Sequence, residues 1–307
     1  MSNTTASEHP RVLFFGMKGN FSPPPLLALL EHGIEVCAVV IPSQYRGPDQ
    51  PAIQRLGQKS KSRSMLPLLN SSVHTSILQI ATERQIPIWE VSHLAHQETG
   101  AVLSSYQPDA ICVACFSLRI PHAILKIPRF GCLNVHPSLL PANRGPEPLF
   151  WTFREGLQQT GVTIHMMDEG MDTGDIVAQK AIEIPDGISY AQLEARCATL
   201  GGGLLACSVW DLYKGLATPV KQDENKTDYH PFPSVDDFVV NTAQWDARHV
   251  YNFICGIAPW GEPITLQVSN TSIRVKEVIS YSHANYAYSQ QGEEFWIPCR
   301  VGSVRVK

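Results

Sequence analysis

The sequence predicts an α/β protein in which a mostly parallel sheet, with helices on both faces, precedes a small barrel-like β domain. Short apolar runs alternate with helix-length segments over roughly the first 200 residues, which is typical of βα units. Residues 234–307 instead alternate apolar and polar positions, as short strands do. A hydrophobic fraction of 44% against 17% charged residues is enough for a sizeable core.

The predicted elements of the N-terminal part follow one another along the chain. Apolar runs predict strands at 11–15, 35–41, 87–91, 109–115 and 132–136. Helices are expected at 26–32, 75–85 and 190–214. Because right-handed crossovers place the ends of parallel strands along one edge of the sheet, we expect ligands to bind at that edge.

A polar connector separates the two parts. We expect a first domain at 1–221, a linker at 222–233 and a second domain at 234–307. In the second domain we expect a helix at 247–257 and strands at 264–268, 273–279, 295–299 and 304–306. That domain has six basic and seven acidic side chains, so its charge is poorly suited to nucleic acid.

Composition narrows the classes of function. The 307 residues carry 24 basic and 28 acidic side chains, a formal net charge of −4, so bulk attraction to a polyanion is absent. No apolar run approaches the roughly 20 residues that span a bilayer. Residues 1–10 show no secretory-signal pattern, so a cytoplasmic location and reduced cysteines are expected. A metal site at Cys112 and Cys115 is disfavoured because no second pair has zinc-ligand spacing.

Two loops bear on ligand binding. The turn at 16–20 has neither G-x-G-x-x-G nor Gly-Lys-Ser/Thr, which disfavours dinucleotide binding and nucleotide hydrolysis. Residues 42–74 have no clear period and contain five basic residues against one acid. This insertion is either a solvated mobile loop or a basic arm for phosphates.

A polar pair lies at the end of the strand predicted at 132–136. Asn134 and His136 share one face, because side chains alternate along a strand. An amide donor and an imidazole can together stabilise an oxyanion and move a proton, which suits acyl or formyl transfer. An acidic loop at 168–175 could bring a carboxylate to the imidazole. A simple turn and a solvated or cation-binding loop are the alternative interpretation.

Two other nucleophiles are disfavoured. Ser138 lacks the G-x-S-x-G context of a nucleophile elbow. Cys132 shares the strand face with His136 but lies roughly 13 Å back along the strand, too far for direct activation.

The two polar clusters together resemble the folate-dependent formyltransferase family. The chain reads Asn-x-His-x-Ser-Leu-Leu-Pro at 134–141, Arg-Gly at 144–145 and Asp-x-Gly-x-Asp-Thr-Gly at 168–174. Residues 11–16, 116–121 and 251–259 are also similar to the family, so the resemblance covers nearly the whole chain. It implies a Rossmann-like catalytic domain and 10-formyltetrahydrofolate as a consumed cosubstrate, without a metal.

The resemblance also implies roles for residues. Asn134, His136 and Asp172 match the catalytic trio of the family. The implied folate-binding residues are Leu118, Arg119, Ile120, Ser138, Leu139, Leu140, Pro141, Asp168 and Gly170.

The acceptor stays open at this point, with initiator methionyl-tRNA as the leading hypothesis. Its candidate contacts are Arg46, Arg55, Lys59, Lys61, Arg63 and Arg144. Where tRNA-acting members have Ala-Ala-Pro, this chain has Pro-Glu-Pro at 146–148, which is closer to members that formylate nucleotide-linked amino sugars. Water in place of an amine would give a hydrolase, and a non-catalytic RNA-binding protein is the alternative outside the enzymes.

Overall fold

The computed structural model describes residues 8–44, 50–57, 76–269 and 271–307. Its first elements are β1 Arg11–Gly16, α1 Pro23–Glu31, β2 Glu35–Pro42, β3 Ile53–Arg55, α2 Ile77–Glu83, β4 Ile88–Val91, α3 Gln97–Ser105, β5 Ala110–Ala114, α4 His122–Leu125 and β6 Cys132–His136. The next are α5 Pro148–Arg154, β7 Gln159–Met166, β8 Ile176–Glu183, α6 Tyr190–Tyr213, β9 Val239–Asn241 and α7 Ala247–Ile257. The last are β10 Ile264–Val268, β11 Thr271–Val275, β12 Val278–Ser282, β13 Ser289–Gln291, β14 Glu294–Pro298 and β15 Ser303–Val306.

The large sheet has eight strands in the order β3-β4-β2-β1-β5-β6-β7-β8. The neighbours from β4 to β6 are parallel, whereas β3 and β7 pair antiparallel with β4 and β6. The predicted mostly parallel sheet is therefore confirmed. The chain builds outward from β1 to one side and then from β5 to the other. Such a reversal opens a crevice at the carboxyl ends of the strands.

Continuous apolar runs explain why the central strands are buried on both faces. Val12 to Phe15 of β1 are fully buried, and no residue of β5 is more than 3% exposed. Helix α1 begins with three prolines, which are tolerated there because the first helical N–H groups have no partner within the helix.

The described residues form two compact units, each built from three segments of the chain. The first unit comprises the described residues up to Pro141, together with Val162–Lys180 and Cys197–Glu224. The second comprises Ala142–Gly161, Ala181–Arg196 and Asn225–Lys307. The expected domains at 1–221 and 234–307, with a linker at 222–233, stay a prediction.

The second unit contains two small sheets, with strand orders β11-β10-β9 and β12-β15-β14-β13. The single strand expected at 273–279 is wrong, because β11 and β12 belong to different sheets. The break falls at Lys276 and Glu277, whose N–H groups both donate to the carbonyl of Lys307. Lys276 and Glu277 are adjacent polar residues that interrupt the apolar–polar alternation, and the prediction of a single strand overlooked this interruption.

The insertion expected at 42–74 contains a strand that its pattern did not predict. Strand β3 pairs with β4, with Gln54 opposite Glu90, and the Gln54 amide donates to the Glu90 carboxylate at 2.7 Å. Arg55, the last residue of β3, is exposed. The other basic residues of the insertion, Arg46, Lys59, Lys61 and Arg63, lie outside the described residues.

No helix in the described ranges combines the length and the apolar character needed to cross a bilayer.

Candidate active site

The antiparallel pairing of β6 with β7 places two polar side chains of β6 opposite two polar side chains of β7. Asn134 lies opposite His165, and His136 lies opposite Thr163. Because residues two apart share a face of a strand, all four side chains project on the same side of the sheet. The shared face predicted for Asn134 and His136 is therefore present, and β7 adds a second imidazole to it.

A tight loop after β7 brings the Asp172 carboxylate to this face. Asp168 closes the loop by accepting hydrogen bonds from Gly170 N at 2.9 Å and Thr173 Oγ1 at 2.6 Å. A Cβ on Gly174 would lie 1.7 Å from the carbonyl oxygen of Met166, so only glycine permits this close approach.

The loop is also held from its far side. Gln222 donates from its amide to the carbonyl oxygens of Asp172 and Gly174, each at 2.7 Å. Asp172 itself adopts a left-handed conformation, with φ of 55°, which aspartate tolerates better than most residues. These contacts fix the backbone that aims the carboxylate.

The Asp172 carboxylate lies between two imidazoles. Its Oδ1 atom is 3.7 Å from His136 Nδ1 and 3.5 Å from His165 Nε2. The side chains of His136, His165 and Asp172 are 5%, 2% and 11% exposed. In such a water-poor site electrostatic interactions are strong, so the Asp172 carboxylate can hold and orient both rings.

Hydrogen bonds orient the second imidazole and the amide of Asn134. Nδ1 of His165 lies 3.0 Å from the carbonyl oxygen of Met166, and a carbonyl can only accept, so Nδ1 carries the proton. In the neutral ring Nε2 then accepts from the Asn134 amide, which lies 3.1 Å away. This contact directs the Nδ2 group of Asn134 toward His165.

The segment expected to contact folate after β6 is fixed by two polar side chains, buried Thr163 of β7 and exposed Gln179 of β8. Thr163 Oγ1 donates to the Ser138 carbonyl at 2.7 Å and accepts from Leu140 N at 3.1 Å. Gln179 donates to both Thr163 Oγ1 and the Leu140 carbonyl. Ser138 and Leu140 are buried, whereas Leu139 and Pro141 are partly exposed. The segment is therefore held rigidly beside His136.

The other two segments with implied folate contacts lie next to each other. Arg119 donates to the main-chain carbonyl of Glu169 at 2.8 Å, and His122 Nδ1 lies 2.7 Å from the Glu169 carboxylate. Leu118 and Ile120 pack on the hydrophobic core of the sheet, while Asp168 and Gly170 are exposed. The structure thus brings 118–120 and 168–170 together at the same place.

The remaining predicted residues are placed as follows. Arg144 is buried in the second unit, 5% exposed, and Arg55 is exposed at the end of β3. Burial raises the pKa of the Cys132 thiol to about 12, which removes it as a nucleophile. Burial also raises the pKa of Cys112, while Cys115 is exposed, an arrangement unsuited to a shared metal ion.

Three residues that support the site were not predicted from the sequence. These are His165, Thr163 and Gln222. The sequence did contain a signal for Thr163 and His165, because they alternate with apolar residues in the second half of β7, directly before the acidic loop. Gln222 had no signal, since it lies about 50 residues downstream in a polar connector.

Comparison with known proteins agrees with the resemblance. A family profile described as "Formyl transferase" matches residues 11–208. The methionyl-tRNA formyltransferase of Citrifermentans bemidjiense is 34% identical over 250 residues, which are 81% of this chain and 72% of that protein. The methionyl-tRNA formyltransferase of Synechocystis is 35% identical over 270 residues, 86% of this chain and 76% of that protein. The chain belongs to the formyltransferase family.

Solved structures show the same fold at lower identity. WlaRD, a sugar 3N-formyl transferase solved in the presence of dTDP and 5-N-formyl-THF, matches with a TM-score of 0.66 at 16% identity. The match covers 98% of this chain and 97% of WlaRD. The N-formyltransferase of Helicobacter canadensis, solved with folinic acid and dTDP-3-aminofucose, has a TM-score of 0.65 at 16% identity and covers 96% and 97% of the two chains.

Proposed function

We propose that the protein transfers the formyl group of 10-formyltetrahydrofolate to the amino group of initiator methionyl-tRNA. The observation that carries this proposal is the convergence of Asn134, His136 and Asp172 at one end of β6. An amide donor, an imidazole and a carboxylate are the groups that an acyl transfer to an amine requires.

In the proposed mechanism Asn134, His136 and Asp172 each have a defined role. The acceptor amine attacks the formyl carbon, and a bond forms between them. The formyl oxygen gains negative charge, which the Asn134 amide and protonated His136 stabilise. The bond between the formyl carbon and N10 then breaks, and the proton lost by the amine ends on N10. Asp172 orients His136 and helps to relay that proton.

The acceptor is inferred from relatives and from charge. The relatives at 34% and 35% identity are methionyl-tRNA formyltransferases. Arg55 is exposed at the end of β3, directly before the stretch that carries Lys59, Lys61 and Arg63. A basic arm at that point would contact phosphates, which compensates for the overall charge of −4.

An acceptor screen tests the proposal. Purified protein is given labelled 10-formyltetrahydrofolate together with charged initiator tRNA, with a nucleotide-linked amino sugar, or with no acceptor. We expect label on methionyl-tRNA, at a rate that falls steeply as salt rises. Label on the sugar alone would show that the acceptor is an amino-sugar nucleotide and not tRNA. Release of formate without any acceptor would indicate a hydrolase. Folate-binding without turnover would contradict catalysis.

Charge reversal tests the basic arm separately. Replacing Arg55, Lys59, Lys61 and Arg63 by Glu is expected to weaken tRNA binding and to reduce its salt dependence. Changing four basic residues that are exposed elsewhere to Glu gives the same change in charge and is the matched control; these are Arg84, Lys126, Arg129 and Lys214. If the first variant binds tRNA as tightly as the control does, the stretch is a spacer.

Amino-sugar nucleotides are the second candidate acceptors because of one local departure. The Pro-Glu-Pro sequence at 146–148 replaces the Ala-Ala-Pro of tRNA-acting members. In the structure Glu147 directly precedes α5, and its carboxylate accepts a hydrogen bond from Tyr190 OH at 3.1 Å. The sugar arm of the acceptor screen decides between the two.

A further inference from the structure

Three potential metal ligands meet in the second compact unit. Glu155 follows the last residue of α5, and Asp228 and His230 lie in the connector that precedes β9. One ligand atom from each of them lies within 4.8 Å of the other two. His230 Nε2 is 3.0 Å from Glu155 Oε1 and 3.6 Å from Asp228 Oδ2. Ligands about 2.1 Å from one tetrahedral ion lie about 3.4 Å apart, so these distances match a preformed site.

The orientation of the His230 ring favours a metal ion at Nε2 over a hydrogen bond to Glu155. His230 Nε2 is buried and has no hydrogen-bond partner among the described residues, although Glu155 Oε1 is only 3.0 Å away. The oxygen therefore lies off the axis along which an N–H would donate. In a metal site the ion occupies that axis, and the carboxylate oxygens flank it.

Contacts behind the three ligands hold them in place. The ring of Trp151 stacks on the imidazole of His230, with centroids 4.5 Å apart and planes 18° apart. Trp151 is itself oriented by a 3.0 Å hydrogen bond to the carbonyl of Pro231. The other oxygen of Asp228 accepts from Asn143 N. Such outer contacts are what fix ligands at metal sites.

The main chain of residues 144–145 packs closely against that of His230. The N–H of His230 donates to the Arg144 carbonyl at 2.9 Å. Gly145 has φ of 125°, and a Cβ there would lie 2.0 Å from the His230 carbonyl oxygen. Any other residue at 145 would clash with the main chain of His230, so glycine permits this close approach.

Charge also favours a cation at this place. Two carboxylates flank one imidazole, so the cluster is negative whether the ring is neutral or protonated. A divalent ion would compensate both carboxylates at once.

We propose that Glu155, Asp228 and His230 bind one divalent transition-metal ion, which fastens the connector at 228–230 to the end of α5. One nitrogen and two oxygen ligands suit zinc and its neighbours in the first transition row, whereas magnesium and calcium prefer oxygen alone. The ion is structural, and it takes no part in the proposed formyl transfer.

The test measures binding of Zn²⁺ and Co²⁺ to the full-length protein after treatment with a chelator. Calorimetry is expected to show one Zn²⁺ per chain at this site, and Zn²⁺ should raise the Tm. Replacing His230 by Gln should weaken binding at least about tenfold, as loss of a supporting contact already does. Glu155→Gln keeps the size of the side chain and should have the same effect, so it decides the question if the His230 variant fails to fold.

Control variants separate this site from other ligands in the chain. His96→Gln removes an exposed imidazole that lies 3.9 Å from a carboxylate, and binding should be unchanged. His136→Asn removes a histidine of the candidate active site, and it too should retain the ion. The Co²⁺ spectrum should lack the thiolate bands that cysteine ligands would produce. Equal affinity in the wild type, His230→Gln and Glu155→Gln proteins, or a Tm that Zn²⁺ leaves unchanged, would overturn the proposal in favour of a metal-free ion pair.

Discussion

The charge on Asp172 is expected to supply a large part of the rate. Its Oδ1 lies 3.7 Å from His136 Nδ1, and the two side chains are 11% and 5% exposed. With an effective dielectric constant of about 20, that separation corresponds to about 4 kcal/mol between a carboxylate and an imidazolium. This energy sets an upper limit near a thousandfold in rate. Asp172→Asn keeps the shape and removes the charge, so we expect kcat to fall at least about a hundredfold.

The assay is single-turnover formyl transfer with labelled folate, together with a separate measurement of folate affinity. Because Gln222 holds the loop through main-chain carbonyls, the Asn variant should bind folate nearly as tightly as the wild type. Asp175→Asn, in the same loop, is the matched control and should retain most of the activity. A rate for Asp172→Asn within about threefold of the control would refute the role assigned to the carboxylate.

Three further predictions follow from other contacts. Gly174→Ala should abolish formyl transfer while the chain still folds, because a Cβ 1.7 Å from the Met166 carbonyl must displace the loop; normal kcat with an unchanged circular dichroism spectrum would contradict this. His165→Phe removes the acceptor that orients the Asn134 amide, so kcat should fall about tenfold, the equivalent of one hydrogen bond, with little change in folate KM; an effect on KM alone would assign the ring to binding. Burial raises the pKa of Glu147, its hydrogen bond from a tyrosine lowers it, and a second glutamate raises it. The folded state therefore disfavours the charged form, and Glu147→Gln should raise the Tm at neutral pH. That gain should vanish as the pH falls below the ordinary value of 4.5, and a gain that persists in acid would show that charge is not the cause.

The sequence pattern predicted a strand or helix correctly where the residues within that segment were sufficient to indicate it. The apolar runs that became β1, β2, β5 and β6 are buried on both faces, so their burial could be read directly from composition. The helix expected at 247–257 has the same bounds as α7, because its apolar face and the Asp246 cap both mark it. Neither case depends on a partner distant in the chain.

The sequence pattern did not predict the strands whose bounds or direction depend on pairing with a segment distant in the chain. The split of 273–279 into β11 and β12 depends on which strands pair with each half. The short strand β3 exists because β4 offers a free edge, although the segment around it has no period. The antiparallel direction of β7 was likewise not encoded in its own apolar residues.

The sequence by itself determined the α/β class, the family and the identity of the groups that could perform the chemistry, because motif spacing and side-chain period are local properties. Only the tertiary structure decided that Asp172 faces two imidazoles, that His165 orients Asn134, and that Glu155 meets residues more than 70 positions away. Those contacts depend on strand pairing and loop closure between distant segments. Their distances follow from how the whole chain packs and from no single stretch of it.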